Sequence, residues 1–92
     1  MTALEIRHFV AVRNDIPEQD IIKHSYESNV HFQRIALARK QATYLICQKF
    51  PQIVACRVLG YSKTQSIRRN LKWMKDNPDQ LGIVEALMSM CG

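Results

Sequence analysis

The sequence predicts an all-α domain of five to six helices packed as one compact unit, with a helix-turn-helix at about residues 52–75. Three observations lead there. Apolar residues recur at helical spacing along most of the chain, and no segment alternates with a period of two over a useful length. The periodic stretches are separated by punctuation that caps or breaks helices: Thr2, Asn14-Asp15, Pro17, Pro51, Gly60 and Asn77-Pro78. Finally, 92 residues without a repeat or a Gly/Ser linker make one domain, 1–92, with a single small core.

Each element has its own reason. Thr2-Ala3-Leu4-Glu5 is a capping-box pattern, with Thr2 as N-cap and Glu5 at the third helical position. Ile6, Phe9, Val10 and Arg13 follow at helical spacing, so a first helix runs from about Ala3 to Arg13. Asn14-Asp15 stops it. Pro17 suits the first position of a short second helix, with Glu18 and Asp20 at the positive end of its dipole. That helix turns Ile21 and Ile22 inward and ends near His24 or Ser25. Tyr26 to Val30 reads as a loop. A long third helix starts near His31 or Phe32 and runs to about Phe50, where Pro51 ends it. Its buried stripe is Ile35, Ala38, Ala42, Leu45 and Ile46, leaving Arg34, Arg39, Lys40 and Gln41 off the stripe.

Gln52 to Lys75 then reads as a short helix, a tight turn at Leu59-Gly60-Tyr61 and a longer basic helix. Gly60 sits where the chain turns sharply and a positive φ is needed. Ser62 is placed to cap the basic helix. Ile67, Leu71 and Met74 share one face and point into the core. Trp73 sits beside that face and is expected to pack at its edge against the last helix. Asn77 and Pro78 start that last helix, with Leu81, Val84, Leu87 and Met88 as its apolar face. Met90-Cys91-Gly92 is expected to fray.

The net charge of +5 and pI near 9.4 fit a polyanionic partner: nucleic acid, an anionic membrane surface or an acidic protein. The distribution says more than the sum. Ser62 to Lys75 holds five Lys/Arg residues and no acid, while acids gather in the first half and after Lys75. Thr64, Gln65, Arg68, Arg69 and Lys72 fall on the surface of the basic helix, and such side chains reach phosphates and base edges. Tyr61, at the turn, either closes the small core or offers its hydroxyl to a phosphate.

Enzyme chemistry is poorly supported. The three glycines, Gly60, Gly82 and Gly92, form no phosphate loop, and His8, His24 and His31 are scattered. Cys47, Cys56 and Cys91 are odd in number and without ligand spacing, so neither zinc nor a disulfide framework is expected. Cys47 and Cys56 are expected as small core residues, and unpaired thiols suggest a cytoplasmic setting. No apolar run reaches the ~20 residues of a membrane span. No cofactor and no nucleotide site is expected.

Several stretches together resemble the C-terminal DNA-binding domain of the bacterial replication initiator DnaA, a relative of the Trp-repressor type of helix-turn-helix. The resemblance runs from about Ile6 to Met90. Val10-Ala11, Ile16 and Asp20-Ile21-Ile22 look like that family's V-A…I…D-L-L opening. Ala38-Arg39-Lys40-Gln41-Ala42 with Tyr44-Leu45 looks like its A-R-x-x-A-x-Y-L helix. Leu59-Gly60 through Thr64-Gln65-Ser66-Ile67 stands where the family has F-G-G-R-D-H-T-T-V, and Asn77-Pro78-Asp79-Gln80-Leu81 is similar to the start of its last helix. Gly60 and Ile67 are seven positions apart, one more than in a common helix-turn-helix and as in this family.

The resemblance implies double-stranded DNA as partner and a bacterial or phage, nucleoid-associated setting. It implies Thr64, Gln65, Arg68 and Arg69 as base readers, and Lys40, Ser62, Lys63 and Lys72 as phosphate contacts with Gln41 beside them. Departures are equally specific. The family's R-D-H-T-T signature is Ser62-Lys63-Thr64-Gln65-Ser66 here, so its usual DNA box does not carry over. The loop Ser25 to Val30 lacks the family's minor-groove arginine, and its nucleotide-binding module has no counterpart in these residues. The expected function is transcriptional regulation, as a stand-alone protein or as the DNA-binding part of a longer activator. The alternatives are a module that binds replication or transcription proteins, and a replication-initiation accessory protein.

Overall fold

The fold is built on the capping, stop and periodicity signals of the sequence, in the computed structural model of the chain, which describes residues 1–22 and 32–90. Among the described residues six helices follow in order: α1 Ala3–Arg13, α2 Glu18–Ile22, α3 Phe32–Cys47, α4 Gln52–Leu59, α5 Thr64–Asp76 and α6 Pro78–Met90. No strand occurs among the described residues. The end of the second helix, the loop at 26–30, the lysine- and arginine-free stretch 25–30 and the chain end at 91–92 lie outside the described residues.

Helix α1 begins with the predicted capping box. Thr2 Oγ1 accepts from the Glu5 N–H at 3.1 Å, and Glu5 Oε1 accepts from the Thr2 N–H at 2.9 Å. Two of the N–H groups that a helix start leaves unpaired are thereby satisfied. Those hydrogen bonds hold the Glu5 carboxyl below its usual range, Thr2 being the main cause. Asn14 closes the helix, and Asp15 takes a left-handed φ of 54° that turns the chain toward α2.

Helix α3 is the axis of the molecule, and every other helix packs against it. That explains why its buried surface is wider than the predicted stripe. Ile35, Ala38, Ala42, Leu45 and Ile46 are buried, as expected. Arg39, Gln41 and Thr43 are buried too. A helix with neighbours on several sides hides polar residues, and these must find partners inside. The helix also ends earlier than predicted, at Cys47 instead of Phe50. Gln48 and Lys49 bond back three residues, to Leu45 and Ile46, and Pro51 then opens α4 in extended geometry. The restriction a proline places on its predecessor falls on Phe50, whose N–H still bonds to the Ile46 carbonyl at 2.9 Å.

Gly60 is required twice over. Its φ of 75° lies in the left-handed region, and a Cβ there would sit 2.5 Å from the Ile22 carbonyl oxygen at the end of α2. The Tyr61 N–H bonds to the Cys56 carbonyl and closes α4. Ile67, Met74, Val84 and Leu87 are buried and Leu71 half-buried, so α5 and α6 present the predicted faces. Phe9 and Phe50 pack against the single core cluster without being fully covered, as does Cys47, while Cys56 is buried. Among the described residues, no helix is long and apolar enough to cross a membrane.

Candidate nucleic-acid interface

Helix α4, the connection Gly60–Lys63 and helix α5 form the unit that carries the candidate site. With Ile67 and Met74 fixed inward, α5 turns the opposite face outward. Gln65, Arg68, Arg69 and Lys72 are exposed there, and Thr64 is half-exposed at the start. Lys63 and Ser62 are exposed on the connection. Ser62 does not cap α5: the cap position is Lys63, in extended geometry and without a side-chain cap bond. Extended backbone from Lys63 moves the helix start one residue past the reach expected of Ser62. The positive end of the α5 dipole is therefore left without an acidic or hydroxyl side-chain cap.

Helix α3 supplies the second side of the site. Lys40 is half-buried, with its ammonium 4.9 Å from the centre of the Trp73 ring, within cation–π range. Burial pushes the Lys40 ammonium down from its usual value, because its charged form is partly desolvated. Trp73 thus meets α3 through Lys40. Gln41 does not belong to the surface. It is 4% exposed, and its side-chain oxygen accepts from Asn14 Nδ2 at 2.9 Å. It ties the end of α1 to α3 and is out of reach of an external partner, contrary to its predicted place beside a phosphate contact.

Arg39 takes a role its charge concealed. It is 4% exposed. Its guanidinium donates through Nε to the Tyr61 hydroxyl at 2.9 Å and through Nη1 to the Ile21 carbonyl at the end of α2. It also stacks over the Tyr61 ring at 4.2 Å. Asn70 of α5 donates to the same hydroxyl at 2.9 Å and to Thr43 Oγ1 at 3.1 Å, and Thr43 donates back to the Arg39 carbonyl at 2.7 Å. The network joins α2, α3, the connection and α5. Tyr61 thereby closes the interior, the first of its two expected roles. Its oxygen accepts twice, which leaves its own proton unspent.

Above the network lies a hollow of about 180 Å³ between α3 and α5. Arg39, Lys40, Arg69, Ser66, Tyr61, Asn70 and the Ala36 methyl line it. Three side chains are cationic, Ser66 and Tyr61 carry hydroxyl donors, the Asn70 amide hydrogens are already given to Tyr61 and Thr43, and none is acidic. Among the described residues the ion pair is Arg7–Glu18 at 3.0 Å, with His8 Nδ1 at 3.2 Å from the other Glu18 oxygen, both on the α1–α2 side. The cations of the hollow have no carboxylate among the described residues.

Sequence reasoning named Lys40 and Arg69 and missed Arg39, Tyr61 as a network member, Ser66 and Asn70. The signal for Arg39 was present. Ile35, Arg39, Ala42 and Ile46 follow i, i+4, i+7 and i+11, a core stripe in which one member is charged. Ser66 and Asn70 are four apart on α5, flanking the inward Ile67. No protein-family model matches the chain, and no curated protein or solved structure does.

Proposed function

We propose that this chain binds double-stranded DNA sequence-specifically, as a transcriptional regulator or the DNA-binding part of one, with α4 and α5 acting as a DnaA-like helix-turn-helix. One observation carries the reading. The exposed face of α5, free of acid from Ser62 to Lys75, runs into a hollow with three cationic side chains on α3 and α5. A cationic helix face beside a cationic hollow suits a phosphate backbone, and its side chains suit a major groove. Thr64, Gln65 and Arg68 occupy the outer face as base readers. Lys40, Lys63 and Lys72 contact phosphate with Ser62 at their edge, and Arg69, expected as a base reader, joins them because it lines the hollow. On this reading the protein works at the nucleoid, in a cytoplasmic setting.

The test compares variants on specific and random duplex by fluorescence anisotropy, after selecting bound sites from a random pool. Gln65→Ala should lower discrimination between them, whereas Lys40→Ala should weaken both alike. Equal loss on both for Gln65→Ala would overturn its role as a base reader.

A second reading has its own observation. An apolar hollow of about 420 Å³ opens on α1 beside α2, lined by Met1, Leu4, Glu5, His8, Phe9 and Glu18. Leu4 is 55% exposed there. That surface suits a module that binds a replication or transcription protein, in a regulatory or initiation-accessory role, and absence of salt-dependent duplex binding would favour it.

A further inference from the structure

We propose that the hollow between α3 and α5 is a preformed site for a single phosphoryl-sized oxyanion, which binds there free in solution and competes with a nucleic-acid backbone for the same donors. The chemistry of the lining points to an oxyanion. Arg39, Lys40 and Arg69 bring three positive charges to one concavity, and Ser66 and Tyr61 add hydroxyl donors, the two Asn70 Nδ2 hydrogens being already given to Tyr61 and Thr43. A tetrahedral oxyanion offers several acceptors in different directions, and this set surrounds it with donors.

Two features make the site preformed. Tyr61 is fixed by two hydrogen bonds that it accepts, from Arg39 and Asn70, so its O–H hydrogen has no competing role within that network. Arg39 is buried and held by Ile21 and Tyr61, so its charge cannot swing away into water. The donors need little further ordering when a ligand arrives, and less ordering means tighter binding. Lys40 is already partly desolvated, which favours an anion over bulk water as its neighbour. The α5 start, with no side-chain cap and no acid in its first turn, adds a positive dipole end nearby.

The hollow is small and open on one side. A volume of 180 Å³ is about six times the ~30 Å³ share of a water molecule. It is below the roughly 300–1,000 Å³ of pockets that enclose a drug-sized ligand. A phosphate or sulfate fits with some water. A nucleotide would have to leave its base and sugar outside. The phosphoryl group has two sources, free phosphate and a nucleic-acid backbone. The inference rests on the DNA reading only for the competition between them.

Amide NMR of the full chain, titrated with inorganic phosphate at constant ionic strength against chloride, tests the site without DNA. Saturable shifts should centre on Ala36, Lys40, Tyr61, Ser66, Arg69 and Asn70. Arg69→Ala, an exposed position whose loss leaves the core intact, should weaken phosphate at least fivefold, and Arg13→Ala on α1 should not. Non-saturating shifts spread over all lysines and arginines, equal in phosphate and chloride, would overturn the proposal. A second arm measures duplex anisotropy with phosphate replacing chloride at fixed ionic strength. At ten times its own Kd, phosphate should weaken duplex binding by roughly tenfold if the two exclude each other. Saturation by phosphate with no duplex binding at any salt would keep the oxyanion site and sink the DNA reading. Duplex binding with no saturable phosphate response would sink the oxyanion site alone.

Discussion

Replacing Tyr61 by phenylalanine removes one oxygen atom and two hydrogen bonds while keeping the ring. The Arg39 stack at 4.2 Å and the apolar contact survive, so the loss reports on the hydroxyl. A bond from a charged donor is worth ~1.5–3 kcal/mol and a neutral one ~0.5–1.5 kcal/mol. Both donors keep a second partner, Ile21 for Arg39 and Thr43 for Asn70, which reduces the penalty. The expected loss is about 2–3 kcal/mol. For a domain of this size that lowers Tm by roughly 10–20 °C. Urea unfolding should show a lower midpoint with an unchanged m-value. Asn70→Ala, combined with Tyr61→Phe in a double-mutant cycle, should give a coupling of about 1 kcal/mol. A loss below ~0.5 kcal/mol would refute the claim that this hydroxyl holds α5 against α3.

Three more outcomes follow from the geometry. Gly60→Ala should destabilise by at least ~1–2 kcal/mol for the left-handed backbone alone, with the contact to the Ile22 carbonyl adding to it in urea unfolding. Glu18 is held below its ordinary 4.5 by hydrogen bonds from Arg7 and then His8. Its contribution is fully present above that value and is lost as pH falls through its lower folded value, so Glu18→Gln should flatten the acid limb of a stability–pH curve. Burial, with Cys56 nearby, raises the Cys47 thiol. Cys47 should react slowly with a thiol reagent at pH 7 in the native protein and fast in urea.

The helical frame was legible because its signals are local. The capping box at Thr2, the positive φ at Gly60, the inward face of α5 and the start of α6 each depend on a few neighbouring residues. What escaped depends on which helices surround a given one. Gln41 and Arg39 look like surface residues from their polarity, yet α3 lies at the centre and every helix touches it. Their partners, Asn14, Ile21 and Tyr61, are 27, 18 and 22 residues away in sequence, and periodicity says nothing of them. The candidate site divides in the same way. Its exposed cations on α5 were read from spacing. Its concave part needed the approach of α3 to α5, which brings Arg39 and Lys40 to Ser66, Arg69 and Asn70.

The central claim is that the α5 face and the hollow beside it bind a phosphate backbone. A salt series of fluorescence anisotropy with random duplex tests it most directly. Each neutralised phosphate contributes a slope of about −0.9 to log K against log salt. Lys40, Lys63, Arg69 and Lys72 together predict a slope of roughly −3 to −4, reduced by about one in Lys40→Ala. Micromolar binding with that slope would support the account, and no salt-dependent binding at low ionic strength would contradict it.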